Sequence, residues 1–380
     1  MPRATGRALG LMAILLATVG CESLPSSRVR PAPPPEKRAA AWKIDHDAYE
    51  TLGYRLDWRG FPAVSAGKAT IQVVDVMEDM IVVLDRSSLV SALKPSDGST
   101  VWRNEVANPL THFKGVGRAN DRVAVVSDSD VYLIDPMNGT IVDRQTLDRV
   151  ANTKPLIGGE AIIYGTSSGE IRLHSTRARI EIWGNALYGQ TAPGAVRAAP
   201  IFVEGVIGAV SDGGAVFFID PSAGSLVAKN NIEGAVVSNP VSEGSVMYVA
   251  SLDQSIYAFS STSGAQLWRY RTSTPLRAQP AVHDGVLYCH VPGQGMTALD
   301  ATKGTVKWTS PDVDGEIICL ANGALVCWDA KTVTRLDPAT GHAISRLTLE
   351  GVSKIIPDGF VDPALYVVGE RGVLAKFTRR

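Results

Sequence analysis

The sequence has little of what enzymes commonly use for chemistry. Its 380 residues include four cysteines and six histidines, with no Cys-x-x-Cys-His haem-attachment motif and no phosphate-binding loop. The dispersed histidines are His46, His112, His174, His283, His290 and His342. Only His283 and His290 approach a metal-ligand spacing, and we interpret both as surface or loop residues. We therefore predict that the protein is not an enzyme and that it holds no metal and no cofactor.

A strong charge of one sign and a long hydrophobic segment are also missing. The 37 Lys and Arg are balanced by 38 Asp and Glu, for a net charge of −1, and the basic residues are scattered. A surface without a basic stripe is a poor partner for nucleic acid, so we predict no nucleic-acid binding. The apolar run near the N-terminus, Ala8 to Val19, is too short to cross a bilayer as a helix.

The N-terminal region is typical of a secreted, lipid-anchored protein. Arg3 and Arg7 precede the apolar run, which leads into Thr18-Val-Gly-Cys21. We predict a signal peptide at residues 1–20. Its end resembles a bacterial lipobox, in which Cys21 is lipidated, although Thr18 stands where leucine is usual. The alternative is a secreted protein with an incidental cysteine. Residues 21–48, which are rich in proline, are predicted to form an extended tether.

The remaining residues, 49–380, repeat one pattern. In the copy from Met296 to Trp308, a short strand leads to a polar turn ending in Gly304, and a second strand then reaches Trp308. Copies begin at Val90, Val131, Ile171, Val216, Ile256, Met296, Val333 and Val373. The longest interval between successive starts is the one from Ile171 to Val216. A period of about 40 residues with short strands predicts a propeller.

A further hairpin precedes each copy and completes a blade. Gln279 to Tyr288, for example, reads as two short strands around an Asp284-Gly285 turn. The last copy supplies only three strands, and Tyr54 to Trp58 resembles the missing outer one. Pairing these segments would remove the open sheet edges. We therefore predict an all-β fold, a single eight-bladed β-propeller of four-stranded antiparallel blades whose ring is closed by an N-terminal strand.

The repeated residues are interpreted as structural. A catalytic site needs one group of residues at one place in the fold, whereas a residue type that recurs in successive blades has the same structural role in each of them. Aspartates at strand ends accept bonds from turn amides, glycines permit positive φ, and tryptophans pack between blades. The aspartates are Asp135, Asp220, Asp300 and Asp337. The glycines are Gly98, Gly139, Gly224, Gly264, Gly304 and Gly341. The tryptophans are Trp58, Trp102, Trp183, Trp268 and Trp308.

The Ala-x-Asp-x-x-x-Gly-x-x-x-Trp pattern, as in Ala298 to Trp308, resembles the repeats of the pyrroloquinoline-quinone (PQQ) type. These repeats occur in quinoprotein dehydrogenases and in the BamB family of outer-membrane assembly lipoproteins, and the resemblance covers nearly all of residues 50–380. The dehydrogenases hold PQQ with Ca²⁺ and often a ring of two adjacent cysteines, which this sequence lacks. The resemblance therefore implies a non-catalytic scaffold in the cell envelope, lipid-anchored in the outer membrane and facing the periplasm.

The longest interval inserts residues after Trp183. The corresponding loop of the BamB family resembles Leu-x-Leu-Arg-Gly-x-Ser-Ala-Pro and contacts the barrel subunit BamA. Leu187 and Gly189 match this pattern, whereas Asn185 and Tyr188 depart from it, and two acidic residues usual in the next blade are replaced by Ala235 and Val237. The resemblance implies a BamA-like partner and a binding loop that includes Asn185, Leu187, Tyr188 and Gly189. We expect Leu187 and Tyr188 to be exposed; a slack surface loop is the alternative.

The cysteines beyond Cys21 are expected to be free, buried thiols. A two-residue Asn322-Gly323 turn would pair Ile318 with Cys327 and Cys319 with Val326, which puts Cys319 and Cys327 on opposite faces of a sheet. Strand parity also permits a disulfide between Cys289 and Cys319.

Three classes of function stay open on this basis. The first is a scaffold that binds envelope proteins through its loops. The alternatives are a PQQ-dependent quinoprotein-like dehydrogenase and an envelope sensor that binds a ligand in its channel.

Overall fold

The structure, a computed structural model, describes residues 33–65, 71–188 and 194–380. Within these ranges the strands form eight four-stranded antiparallel sheets, and each sheet is a blade of one ring. The inner strands of successive blades lie side by side around a central channel. The predicted all-β, eight-bladed propeller is confirmed.

The four strands of each blade run from an inner to an outer position. Blade 1 consists of Ile71–Val76, Ile81–Asp85, Leu89–Leu93 and Thr100–Glu105. Blade 2 consists of Phe113–Ala119, Arg122–Ser127, Asp130–Ile134 and Ile141–Thr146. Blade 3 consists of Leu156–Gly158, Ala161–Gly165, Glu170–Ser175 and Ile180–Ala186. Blade 4 consists of Ile201–Val203, Val206–Val210, Ala215–Ile219 and Leu226–Asn231. Blade 5 consists of Val241–Glu243, Val246–Ser251, Ser255–Ser260 and Gln266–Arg271. Blade 6 consists of Ala281–His283, Val286–Val291, Gly295–Asp300 and Val306–Ser310. Blade 7 consists of Glu316–Ala321, Ala324–Trp328, Thr332–Leu336 and Ala343–Thr348. Blade 8 consists of Val352–Pro357, Leu365–Gly369, Leu374–Arg379 and Tyr54–Gly60.

The ring is closed by the N-terminal strand, as predicted. Tyr54–Gly60 is the outer strand of blade 8 and pairs antiparallel with the C-terminal strand, from Tyr54 opposite Arg379 to Gly60 opposite Leu374. One blade therefore contains both ends of the propeller. Because this strand covers the edge of the C-terminal strand, it gives blade 8 the same four strands as the other blades.

The core is divided among the seams between blades. Second and third strands such as Ile81–Asp85 and Asp130–Ile134 are buried along their whole length, because neighbouring blades cover both faces. The outer strand Ile141–Thr146 instead alternates in burial, as a strand with one exposed face does. The buried apolar residues of the described ranges form eight clusters, each between two adjacent blades. The fold is therefore stabilised mainly at its seams.

Two short helices precede the ring, and the segment from Trp42 to Leu52 fills the seam between blades 7 and 8. Helix α1 is Pro35–Ala41 and helix α2 is His46–Thr51, and a single 3₁₀ turn, Glu370–Gly372, follows later. Trp42 is 2 % exposed and donates from Nε1 to the Glu350 carbonyl at 3.3 Å. The ring of Tyr49 stacks on Phe377 at 3.7 Å between centroids.

The prediction of an extended tether is wrong for residues 33–48. The sequence predicts the end of an extended tether in this range, but the range contains α1 and the start of α2 and packs on the ring. The physical reason is that Trp42, Ile44 and Ala48 are buried in the cluster of the seam between blades 7 and 8. No helix in the described ranges is long and apolar enough to cross a membrane.

Candidate functional site

The candidate site lies at one end of the ring, which we call the linker face. At this end the outer strand of each blade connects to the inner strand of the next blade. The opposite end, the turn face, has the tight turns between the third and fourth strands. The linker that carries the insertion runs from Ala186 to Ile201, and residues 189–193 within it lie outside the described residues, so Gly189 cannot be located.

The first end of this linker is pinned to the fold by Asn185 and Leu187. The Asn185 side chain donates to the Gly224 carbonyl of blade 4 at 2.6 Å. Asn104 and Asn230 make the same bond to Gly139 and Gly264 in other seams. Leu187 is fully buried in the seam between blades 3 and 4, so the prediction that Leu187 is exposed is wrong.

The other end of the linker is pinned as firmly. Val196 is fully buried in the same seam, and its carbonyl accepts a bond from the Asn152 side chain at 2.7 Å. Its N–H donates to the Thr166 carbonyl at 2.9 Å. The exposed Arg197 pairs with Asp212 at 2.6 Å. The insertion is therefore held at both ends by groups that belong to the blades.

Tyr188 is the exposed member of the predicted set. It is 63 % exposed and immediately follows buried Leu187, so its position on the face is fixed by its neighbour. The two preceding linkers also carry exposed apolar side chains, with Leu110 82 % and Val150 58 % exposed. We call these three residues the apolar arc, because they lie on successive linkers of blades 1 to 4. Exposed apolar patches often mark an interaction surface, so we treat the apolar arc as a candidate for one.

The next linker differs from what the BamB pattern would imply. Ala235 and Val237 are half-buried and carry no charge, and Glu233 is the exposed acid of that linker. The Ala235 carbonyl accepts the Leu252 N–H at 2.9 Å, so its backbone belongs to the fold. The charged groups near the described ends of the insertion include the ion pair of Arg197 with Asp212 and that of Arg172 with Glu170.

The repeated tryptophans and glycines meet across seams. An added Cβ on Gly304 would lie 2.6 Å from the ring of Trp268. The Trp268 Nε1 donates to the Ala301 carbonyl at 2.9 Å. The other tryptophan–glycine pairs are Trp58 with Gly98, Trp102 with Gly139, Trp183 with Gly224, and Trp308 with Gly341. Gly264 lies on the backbone of Lys229 instead, because Ala228 occupies the tryptophan position of blade 4.

The repeated aspartates lie in exposed turns of the turn face, far from one another. Asp220 accepts the Ser222 N–H at 2.8 Å and Asp300 accepts the Thr302 N–H at 2.9 Å. Asp135 and Asp337 accept the amides of Met137 and Ala339 in the same way. Hydrogen bonds from the hydroxyls of Ser222 and Thr302 lower the pKa of Asp220 and Asp300. Each carboxylate is therefore engaged with its own turn.

Besides the seam of Ala228, two further seams of the described ring lack the tryptophan and are filled by other contacts. Between blades 2 and 3, Asp143 stands at the tryptophan position and Arg179, with φ of 62°, at the glycine position. Their side chains form an ion pair at 2.8 Å. Between blades 7 and 8, Ser345 replaces the tryptophan, and buried residues of the segment from Trp42 to Leu52 fill the seam.

The central channel contains a cavity of about 560 Å³. It is lined by inner-strand residues of blades 4 to 8, including Gln279 and Glu316, and by Phe360. Phe360 belongs to the turn after the inner strand of blade 8, and its ring packs on His283 at 4.7 Å between centroids. His290, by contrast, bonds Asp314 at 2.9 Å. Among the described residues no three His, Cys, Asp or Glu side chains are grouped as metal ligands.

The cysteines of the propeller are free and buried. Cys289 packs between blades 5 and 6, Cys327 between blades 6 and 7, and Cys319 between blades 7 and 8. Cys289 and Cys319 therefore face different seams, which explains why they do not form the disulfide that strand parity permitted. Burial raises the pKa of each thiol to about 12. Cys21 lies outside the described residues.

The chain is similar to known proteins over most of its repeats. A family model described as outer membrane protein assembly factor BamB matches residues 86–242 and 229–330. A curated relative of that name from Burkholderia pseudomallei is 24 % identical over 164 residues, which are 41 % of this chain and 41 % of the relative. Another from Nitrosomonas eutropha is 28 % identical over 91 residues, 23 % of this chain and 22 % of the relative. The match thus spans less than half the length of either relative.

Solved structures share the architecture. BamB from Moraxella catarrhalis superposes with a TM-score of 0.66 at 18 % identity, over 83 % of this chain and 97 % of that one. A computationally designed protein, Ika8, superposes with a TM-score of 0.65 at 10 % identity, over 86 % of this chain and 99 % of that one. At such identities the likeness shows the propeller fold.

Proposed function

Because the chain belongs to the outer membrane protein assembly factor BamB family, we propose that it is a non-catalytic scaffold for outer-membrane β-barrel protein assembly. In this proposal the protein binds a partner of the cell envelope through the linker face of blades 1 to 4. A BamA-like barrel assembly subunit is the proposed partner. The family match over residues 86–330 and the two relatives named as assembly factors support this role.

One observation carries the proposal for the binding surface, namely the exposure of Tyr188 on a linker pinned at both ends. Leu187 and Val196 are fully buried, so the chain leaves and re-enters the core on either side of the insertion. A tyrosine side chain has only two χ angles, so it loses little conformational freedom when a partner binds. Buried aromatic anchors commonly contribute about 2 kcal/mol or more to an interface.

The other members of the apolar arc extend the same surface. Leu110 and Val150 are more than half exposed, and both lie on linkers that precede the insertion. The proposed interface therefore has Tyr188 as its anchor and Leu110 and Val150 as flanking contacts. Asn185 and Leu187 support it indirectly, since they hold the linker in place.

The proposed location is the periplasmic side of the outer membrane. Cys21 would carry the lipid anchor after removal of residues 1–20. Two or more acyl chains give stable attachment, whereas a single chain is marginal. The lipobox-like Thr18 to Cys21 segment and the family membership support this placement.

Capture from detergent-solubilised membranes tests the binding surface. A tagged chain should co-purify with a barrel assembly subunit, and Tyr188→Ser should lower the amount captured at least tenfold. Met137, which is 80 % exposed on the turn face, provides the matched control, and Met137→Ser should capture as the parent chain does. Both variants should keep the melting temperature of the parent. Undiminished capture by Tyr188→Ser would show that the surface lies elsewhere.

A further inference from the structure

A groove on the outside of the ring lies where the chain enters the propeller. We call it the seam groove, because it lies between the outer strands of blades 8 and 1. Its volume is about 520 Å³. Its lining includes Pro35 at the start of α1, Arg59 and Phe61 at the end of the closing strand, and Asp97 and Arg103 on blade 1.

The seam groove carries two arginines without protein partners. Among the described residues, neither the Arg59 nor the Arg103 side chain makes a hydrogen bond or an ion pair, although the backbones of both are paired in their sheets. Arg59 is half-buried and Arg103 is exposed. Asp97 is the acid of the groove, and its carboxylate is engaged by the Ser99 N–H at 2.8 Å. The lining therefore has one more positive than negative charge.

Arg38 adds a third positive charge behind the lining. Its guanidinium lies 5.7 Å from the centroid of the Phe61 ring. It donates to the carbonyls of Pro62 at 2.8 Å and Gly372 at 2.6 Å, which are neutral acceptors. No carboxylate among its partners offsets the charge of Arg38. The groove is thus a positively charged recess with a fixed wall, which suits an anion rather than a cation.

The position of the groove along the chain indicates which anion. Pro35 lines the groove, and only the short segment from Glu22 to Ala32 separates Cys21 from Pro33, where the described chain begins. A segment of this length reaches at most about 40 Å when fully extended. A lipid anchor at Cys21 would therefore keep this part of the ring close to the bilayer, and the groove lies where the tether leaves the ring. Basic side chains near an anionic leaflet are attracted to its headgroups.

We propose that the seam groove binds the phosphate of an anionic phospholipid headgroup through Arg59 and Arg103, which orients the ring on the membrane that holds its anchor. This inference rests on the proposed lipid anchor and envelope location. It does not involve the apolar arc, since the three residues of that arc lie on the linkers from blade 1 to blade 4. The ring would then have one edge on the membrane and the apolar arc free to meet a protein.

Vesicle binding tests the proposal without partner or anchor. The full chain carrying Cys21→Ser is sedimented with phosphatidylcholine vesicles that contain or lack phosphatidylglycerol, at an ionic strength of about 0.1 M. Binding should require phosphatidylglycerol. Each basic contact near an anionic surface contributes a factor of about five, so Arg59→Gln with Arg103→Gln should weaken binding roughly 25-fold.

A matched pair of arginines elsewhere gives the control. Arg271 and Arg277 are exposed on and after the outer strand of blade 5, and changing both to Gln removes the same charge. This control should bind as the parent does. Equal loss in both double variants, or binding that is independent of phosphatidylglycerol, would overturn the proposal. Undiminished partner capture by Tyr188→Ser, which would overturn the proposed protein-binding surface, would leave the vesicle result unaffected, so the two proposals fail separately.

Discussion

The contact between Trp268 and Gly304 can be tested by adding one methyl group. Gly304 has φ of 69°, and a Cβ there would lie 2.6 Å from the Trp268 ring. A non-glycine residue in the left-handed region costs roughly 1–2 kcal/mol. Overpacking against a buried ring adds about 1–3 kcal/mol. Gly304→Ala should therefore lower the free energy of unfolding by about 2–5 kcal/mol.

Gly285 separates the two contributions. It has φ of 70°, close to that of Gly304, but no atom lies within 4 Å of an added Cβ. Gly285→Ala should therefore cost the backbone part alone, about 1–2 kcal/mol. The difference between the two variants measures the contact with Trp268.

Equilibrium urea unfolding, followed by far-UV circular dichroism, gives both values. Trp268→Ala should itself cost about 3–5 kcal/mol, because a large buried ring is lost. In that background the clash is relieved, and Gly304→Ala should cost no more than Gly285→Ala. Equal costs for Gly304→Ala and Gly285→Ala in the parent chain would refute the idea that tryptophan–glycine contacts join the blades.

Three further predictions concern the anchor, the N-terminal helices and the thiols. Cys21→Ser should release the protein from membranes into the soluble periplasmic fraction, and sedimentation of the variant with membranes in high salt would contradict the anchor. Trp42→Ala should lower the free energy of unfolding by about 3–5 kcal/mol, because this side chain is buried in the seam between blades 7 and 8. The exposed Lys43→Ala should leave stability nearly unchanged, and an equally small effect for Trp42→Ala would favour a detached tether. The three buried thiols, whose pKa burial raises to about 12, should resist alkylation in the native state at about pH 9 and react only after unfolding; rapid native labelling would contradict their burial.

The ring architecture could be predicted from the sequence because most blades pack on their neighbours through the same residue types at the same positions. A glycine at a positive-φ turn and a tryptophan four residues later recur because the glycine admits the ring of the preceding blade. Trp58, near the N-terminus, makes the same kind of contact with Gly98, and this contact joins blades 8 and 1. Periodic contacts of this kind leave a periodic trace in the sequence.

The orientation of Leu187 was missed, although the same periodicity contains a signal for it. Counted from the repeat start at Ile171, Leu187 occupies the position that Val106, Leu147 and Ile232 occupy in their own repeats. All four are buried, between 0 % and 5 % exposed. The loop pattern places Leu187 in the insertion, whereas the repeat assigns Leu187 to the last buried position before the insertion.

Other features leave no periodic trace. Helices α1 and α2 have seven and six residues, too short to show an amphipathic period, and they form because packing on blades 7 and 8 stabilises them. In blade 7 the expected pairing of Cys319 with Val326 is confirmed. Cys327 pairs with Ile317 rather than Ile318, because a register shift lies between Ile317 and Cys319. A bulge of this kind follows from three-dimensional packing rather than from local sequence.

The most direct test of the central claim is photo-crosslinking in intact cells. A photoreactive amino acid placed at position 188 should form a covalent adduct with a barrel assembly subunit, because Tyr188 is the proposed anchor on the linker face. The same amino acid at position 137, on the turn face, should form none with that subunit. An adduct with the assembly subunit from position 137 but not from position 188 would contradict the account.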